Sequence, residues 1–396
     1  MDTLIIHVEI IDHPSGDQLP ILLDGDGLPI PMPSEFVMGR RALGINTLVR
    51  NLRELSVLYR WLEKERIDLW GRIVKGNAFT EAEIRGGLIE SLRRDQSQGR
   101  KVKKLTVTPN SFNQRLTTIR QFIGLHFDIY LGSIPFNDMR YEHIREQKIR
   151  SISWLDNSFI SAPPTNASKQ KGLSLTQAKF LVNSLDPKND QIFGRDPSVH
   201  FRNYVSVMIM LNYGLRPGEL LSLKVEDIEF GAISAIKVVR RAPDSKDQRR
   251  PRPHIKRNGR VMPIDNPIFA KYLDEYIMIW REKLEANASE DSEYLILSDE
   301  GKPLSQPSIV QFFQVLRNRY PDELPSNLSA KSLRHTFSSN MERLLREAGM
   351  GEDRRAEALA DLRGDSSLSS QEVYIAQEIQ EQSNKAMRNY HDKLLG

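Results

Sequence analysis

Residues 161–172 read Ser-Ala-Pro-Pro-Thr-Asn-Ala-Ser-Lys-Gln-Lys-Gly, and this stretch decides how the chain can fold. Paired prolines, small polar residues and the lack of any apolar period give it the composition of a linker, so the segments on either side must each bury a core of their own. The chain has 396 residues, enough for two or three such units. Its hydrophobic fraction of 39% and charged fraction of 27% fit soluble globular protein rather than disorder. No apolar run approaches the roughly 20 residues that span a bilayer. Residues 1–20 carry Asp and Glu where a signal peptide would have a basic start and an apolar core. Cysteine is absent, which removes disulfides, thiol nucleophiles and thiolate metal sites, and is compatible with a cytoplasmic protein.

Within these limits the periodicity predicts a mainly α chain with a small antiparallel β-sheet or hairpin, an α+β class. Residues 1–33 alternate apolar and polar side chains (Leu4, Ile6, Val8, Ile10) and contain Asp24-Gly25-Asp26-Gly27, which reads as a strand, a turn and a second strand. They form a β-rich extension. Over residues 34–160 the pattern becomes helical. Leu48, Leu52, Leu55, Tyr59 and Leu62 make one apolar stripe from Asn46 to Lys64. A helix is expected over 80–92, and Thr108-Pro109, a cap followed by proline, announces another that carries Phe112, Leu116, Ile119, Phe122 and Ile123. After the linker, residues 173–396 predict helices at 177–185, 201–213, 266–285, 306–319, 332–348 and 354–361. Strands at 234–240 and 260–264 enclose a long basic hairpin. The tail 376–396 can pack on its own chain or on a neighbour.

The net charge of +4 is small, but cations are clustered. Arg93, Arg94, Arg100, Lys101, Lys103 and Lys104 form one group. Lys237, Arg240, Arg241, Lys246, Arg249, Arg250, Arg252, Lys256, Arg257 and Arg260 form a second, broken only by Asp244 and Asp247. Such clusters on a near-neutral background resemble a polyanion footprint, and a solvated face is an equal reading for either one alone.

The chemistry lies in three C-terminal segments: Gly214-Leu-Arg216-Pro-Gly-Glu219, Lys331-Ser-Leu-Arg334-His-Thr-Phe337, and Gly364-Asp365 with Tyr374 nine residues beyond the aspartate. Two arginines can grip the non-bridging oxygens of one phosphate with forked donors that stay charged. A tyrosine beyond them can attack the phosphorus. A Ser/His/Asp site has no need of two arginines, and a metal phosphatase would show clustered Asp and His. The pattern points to phosphoryl transfer by covalent catalysis, with no metal and no cofactor.

In order and spacing, these motifs resemble the tyrosine recombinases, the phage integrase family of DNA breaking and joining enzymes. Leu211-Asn-Tyr-Gly-Leu-Arg216-Pro-Gly-Glu219 resembles the first arginine box. His254-Ile-Lys256-Arg-Asn-Gly-Arg260 resembles the hairpin that bears a catalytic lysine. Lys331-Ser-Leu-Arg334-His-Thr-Phe resembles the second box, with lysine where histidine is commoner. Leu362-Arg-Gly364-Asp365 through Tyr374 resembles the last. One box would be weak; four in order over about 160 residues are specific. The resemblance covers 173–380 and extends more weakly to residues 34–150 as a helical core-binding domain.

The resemblance implies two domains that clamp double-stranded DNA at a recombination site, acting as a homo-tetramer on two sites. Arg216 and Arg334 would hold the scissile phosphate, Glu219 would orient Arg216, and Lys331 would add a point charge. Lys256 would protonate the leaving 5′ oxygen. Tyr374 would form a 3′-phosphotyrosyl link, with Tyr390 its main competitor. Arg100, Lys101, Lys103, Lys104, Arg249, Arg250, Arg252, Arg257 and Arg260 are the candidate DNA-backbone contacts.

Asp365 departs from the family, which usually has histidine or tryptophan there. An ionised carboxylate donates no hydrogen bond and repels a phosphodiester. It is either turned away toward Arg363 or Lys331, protonated in the complex, an orienting group, or the mark of an attenuated enzyme; loss of one donor costs about 3 kcal/mol in comparable oxyanion sites. Two other classes share much of the pattern: a non-catalytic DNA-binding protein of the same fold, and a type IB topoisomerase.

Overall fold

The first element is a hairpin of β1 (His7–Asp12) and β2 (Gln18–Leu23), paired antiparallel from His7 opposite Leu23 to Asp12 opposite Gln18. The computed structural model describes residues 6–14, 16–77, 79–94, 106–161, 172–189, 196–255, 259–364 and 373–395. At the turn of the hairpin His13 N donates to Asp17 O and Gly16 takes a φ of 86°. The sequence pattern places the turn at Asp24–Gly27. That segment instead makes a second reversal after β2, with Asp24 Oδ1 accepting from the amides of Asp26 and Leu28, and it leads into α1 (Pro31–Met38). Asp-Gly pairs mark both kinds of reversal, so the residue type alone could not tell them apart.

The chain divides into two compact units, Met1–Asn166 and Ala167–Gly396. In the first, the hairpin and α1 share one core with α2 (Ile45–Lys64) and α5 (Pro109–Ser133): Ile6, Leu22 and Phe36 join Leu48, Leu52, Leu55, Leu62, Leu116, Ile119 and Phe122. Between these two long helices lie α3 (Leu69–Lys75) and a π-helical turn, Glu83–Leu88, that runs into α4 (Ile89–Arg93). The Thr108 hydroxyl accepts from Ser111 N at 3.3 Å, and Pro109 opens α5 where its missing N–H costs nothing. Packed against α5 is α6 (Tyr141–Asp156).

The second unit starts with a close approach. Leu173 N donates to Thr336 Oγ1 at 2.7 Å, and a Cβ on Gly172 would lie 2.6 Å from the Thr336 backbone. A reciprocal cap between Ser174 and Gln177 then starts α7 (Leu175–Leu185). Every residue from Phe201 to Tyr213 of α8 (Pro197–Tyr213) is buried, so this helix is the axis of the unit. After the short α9 (Pro217–Leu220), β3 (Ile228–Glu229), β4 (Ala235–Val238) and β5 (Arg260–Pro263) form an antiparallel sheet in that order. A second helical run, α10 (Pro267–Glu275), passes through a π-helical turn into α11 (Glu282–Glu285). The remaining helices are α12 (Gln306–Arg319), α13 (Ala330–Glu347), α14 (Glu352–Arg363) and α15 (Val373–Leu395).

The tail packs on its own unit: α15 lies against α7, α8, α13 and α14, and it buries Met387, Tyr390 and Leu394. Tyr390 is a core residue. It is 2% exposed, its hydroxyl donates to Leu211 O at 2.9 Å, and burial pushes its pKa up, so it is no competitor for a nucleophile.

Gly214, which ends α8, has a φ of 62°, and a Cβ there would meet Phe337 Cδ1 at 2.3 Å. Gly214→Ala should therefore destabilise the second unit by about 2–4 kcal/mol, from left-handed strain plus overpacking. Urea unfolding measures this, and an unchanged midpoint would contradict the packing described.

Candidate functional site

With Gly214 in the left-handed region α8 stops, and Arg216 takes an extended conformation at φ −72° and ψ 151° ahead of Pro217. Proline at the first helical position fixes the new direction. Three residues after Arg216, Glu219 reaches back: one oxygen accepts from Arg216 N at 2.9 Å, the other from its Nη1 at 2.8 Å. Glu219 is 1% exposed. Two further guanidiniums face it. Arg260, from β5, donates through Nη2 at 3.1 Å, and Arg334, from α13, holds Nη1 at 3.9 Å. Burial alone would raise the Glu219 pKa. The charge and hydrogen bond of Arg260, then the Arg216 amide and charge, hold it below the ordinary value, so the carboxylate stays ionised.

Three cations on one carboxylate leave a surplus of positive charge, and the backbone directs part of it. Arg334 Nη1 donates to Gly214 O at 2.7 Å, and its Nη2 to Arg363 O at 2.9 Å. Arg216 Nη1 also reaches Arg363 O, at 3.3 Å. Both predicted clamp arginines therefore bind one carbonyl oxygen at the negative end of α14, just before Gly364 closes that helix with a φ of 61°. The structure brings Arg216 and Arg334 together within reach of a single anion.

The neighbourhood is cationic. His335 has a pKa below its usual value because of partial burial first, and then the charges of Lys331, Arg363 and Arg334. Lys331 lies in the first turn of α13 and is exposed, whereas Arg334 is turned into the fold. Tyr374 is the second residue of α15. Its side chain lies outside the described part of the structure, as do Lys256, Asp365, Arg257, Arg100, Lys101, Lys103 and Lys104. Among the described residues, no group of three or more His, Asp or Glu is placed to hold a metal ion.

Part of the basic hairpin is corrected by the structure. Arg249, read as a DNA contact, is 9% exposed. It pairs with Asp247 at 2.8 Å, donates to the carbonyls of Leu221 and Leu304, and lies 4.4 Å from the Tyr294 ring centre. Arg252 is equally buried and donates to Asp247 O at 2.6 Å. Arg260 is committed to Glu219. These three arginines hold the fold together; Arg250 is exposed.

A second feature went unread in the sequence. Between α2 and α5 the first unit has a cleft of about 630 Å3 with Arg40, Arg50, Asn51, Gln114, Thr117 and Gln121 in its lining. Arg40 donates to Gln121 at 2.8 Å, and its own Nη1 is buried without a hydrogen-bond partner. The Arg40 pKa is lowered by burial and by the charge of Arg50. Asn51 is 3% exposed, and its Oδ1 has no partner. The signal was there: Asn110, Gln114, Thr117 and Gln121 recur at spacings of three and four on the face of α5 away from its apolar stripe.

Residues 188–378 match the profile of the phage integrase family. The chain is 27% identical over 215 residues to the tyrosine recombinase XerA of Thermococcus kodakarensis, covering 54% of this chain and 61% of that protein. It is 30% identical over 180 residues to XerA of Thermococcus onnurineus, covering 45% and 52%. The chain thus spans between half and two thirds of the length of these relatives. In fold it is similar to the Tn1549 transposon integrase solved with transposon right-end DNA, with a TM-score of 0.50, 16% identity, and coverage of 92% of this chain and 98% of that one. Over residues 188–378 the chain is thus similar to the phage integrase family, and the two arginines that converge on Arg363 O both lie within that matched segment.

Proposed function

We propose that this protein is a site-specific DNA recombinase that cuts and rejoins strands through a 3′-phosphotyrosyl intermediate. The observation that carries the reading is the convergence of Arg216 and Arg334 on Arg363 O beside Glu219. That arrangement offers forked donors to the non-bridging oxygens of a phosphodiester, where they offset charge as it builds in the transition state. The Tyr374 phenol loses its proton to solvent as its oxygen attacks the phosphorus, the bond to the 5′ oxygen breaks, and Lys256 protonates that departing oxygen to give the 5′ hydroxyl. The phosphotyrosine keeps the bond energy, so a 5′ hydroxyl of another strand reverses the step without nucleotide hydrolysis. Lys331 adds a point charge from the positive end of α13. The partner is double-stranded DNA carrying a recombination site, synapsed by a homo-tetramer in the cytoplasm. The cleft of the first unit is a second DNA contact. Its guanidiniums suit backbone phosphate, and its amides and hydroxyls are the groups that read base edges.

A nicked suicide substrate tests the chemistry. Wild-type protein should trap a covalent adduct that resists denaturing electrophoresis, and Tyr374→Phe should abolish it. An adduct that survives in Tyr374→Phe would assign the nucleophile elsewhere. Sequence-specific binding with no adduct in wild type would favour a non-catalytic DNA-binding protein in which Asp365 marks the loss of activity.

The charge around His335 makes a second prediction. Burial first, and then the charges of Lys331, Arg363 and Arg334, hold its pKa down in the free protein, so a bound phosphodiester that offsets those charges should raise it. Histidine NMR titration with and without substrate DNA measures this, and an unchanged or lowered His335 pKa on binding would place the phosphate elsewhere.

For the cleft, Arg50→Ala should weaken DNA binding on all sequences and lower the salt slope by about one unit, as expected when one phosphate contact is lost. Affinity measured against salt concentration decides this, and an unchanged slope would remove Arg50 from the interface.

A further inference from the structure

The first unit contains another cavity, of about 600 Å3, whose chemistry is opposite to that of the polar cleft. It lies where the segment after β2, the start of α1, the last turns of α2 and the first turn of α3 meet. Its walls are apolar and include the rings of Tyr59 and Trp70. Four carboxylates line it, Asp24, Glu35, Glu63 and Asp68, and among the described residues no lysine or arginine does. In a chain with 56 basic and 52 acidic residues, that local imbalance makes the cavity strongly unlike its surroundings.

Two of the acids are fixed by the backbone. Asp24 accepts from the amides of Asp26 and Leu28, and Asp68 caps α3 through Gly71 N at 3.0 Å. The cavity also sits at the C-terminal end of α2, where the helix dipole adds negative potential. Behind the wall, His126 is fully buried; Nδ1 faces Glu35 Oε2 at 3.8 Å, and its ring meets that of Trp70 edge-on. Burial holds the His126 pKa down to about 4 against the opposing effect of a hydrogen bond with the Met32 backbone, so at neutral pH it does not neutralise Glu35. Tyr59 Oη is buried without a partner.

A cavity of this size takes a small molecule rather than a helix or a duplex. Its carboxylates repel phosphodiesters, while aromatic faces and carboxylates together select a cation with an apolar body. We propose that this cavity binds an organic cation, an alkylammonium whose apolar part packs on Tyr59 and Trp70 while its charge meets Glu35 and Glu63. The site is separate from the DNA-cleaving chemistry and does not rest on it.

The test uses the full chain and three probes of one size: 2-phenylethylammonium, the neutral 2-phenylethanol, and the anion phenylacetate. Calorimetric titration, checked by tryptophan fluorescence, should show saturable binding of the ammonium at millimolar concentration or below. The alcohol should bind at least about fivefold more weakly, the weight of one cation–π or partly screened ionic contact, and the anion not at all. Glu63→Gln and Trp70→Leu should each weaken the ammonium about fivefold with the covalent DNA adduct unchanged, and Glu63→Gln should leave the urea midpoint unchanged as well. Equal binding of ammonium and alcohol would show an unselective apolar hole and overturn the proposal. So would the lack of saturable ammonium binding, or a Glu63→Gln variant with wild-type affinity, a substitution that leaves the core untouched.

Discussion

The second unit is organised around one buried carboxylate. Arg260 and Arg334 are drawn out of water beside Glu219, whose ionised carboxylate offsets their charge; an unpaired buried guanidinium would cost several kcal/mol. The same side chain caps the Arg216 amide, so it also fixes the start of α9. It thereby ties the turn after α8, the last strand of the sheet and the second arginine helix to one point. Its charge is smaller than the charge that surrounds it. That surplus turns a structural ion cluster into a site that attracts an anion.

How much of this was legible depended on sequence separation. The stripe of α2, the Thr108 cap and the Ser174–Gln177 cap are local, and each was visible as spacing or residue type or completes a helix the spacing predicted. The Arg216–Glu219 contact is three residues apart and could be read from the first box. The Arg260–Glu219 contact crosses 41 residues and could not. Arg249 and Arg252 were misread for the same reason. A run of cations looks like a DNA footprint until its partners are known, and the carbonyls that hold Arg249 come from Leu221 and Leu304, 28 and 55 residues away. The cleft of the first unit was missed because apolar stripes drew the reading of α2 and α5, while their opposite faces carried the polar pattern.

The distribution of charge separates three tasks that the net value of +4 conceals. The Glu219 cluster is positive and partly desolvated, which suits one phosphate held firmly. The cleft between α2 and α5 mixes two guanidiniums with amides and hydroxyls, which suits a surface that must bind backbone and discriminate bases. The cavity beneath α1 is acidic and aromatic, and it repels what the other two attract. A single basic face would have bound DNA without distinguishing these roles.

Packing transmits position from the arginines toward the tyrosine helix. The Phe337 ring fills the space that a Cβ on Gly214 would need, so it sets the turn that presents Arg216. It lies on α13, one turn after Arg334. It also meets the Tyr390 ring edge-on at 6.0 Å, and Tyr390 anchors α15 to the last turn of α8 through Leu211 O. One side chain thus touches the first arginine turn, the second arginine helix and the helix on which Tyr374 is the second residue. Interiors packed at crystal density do not deform continuously, so a shift in α15 is felt at Phe337 and through it at Gly214. The buried Tyr390 thus holds α15 in place on the core of its unit.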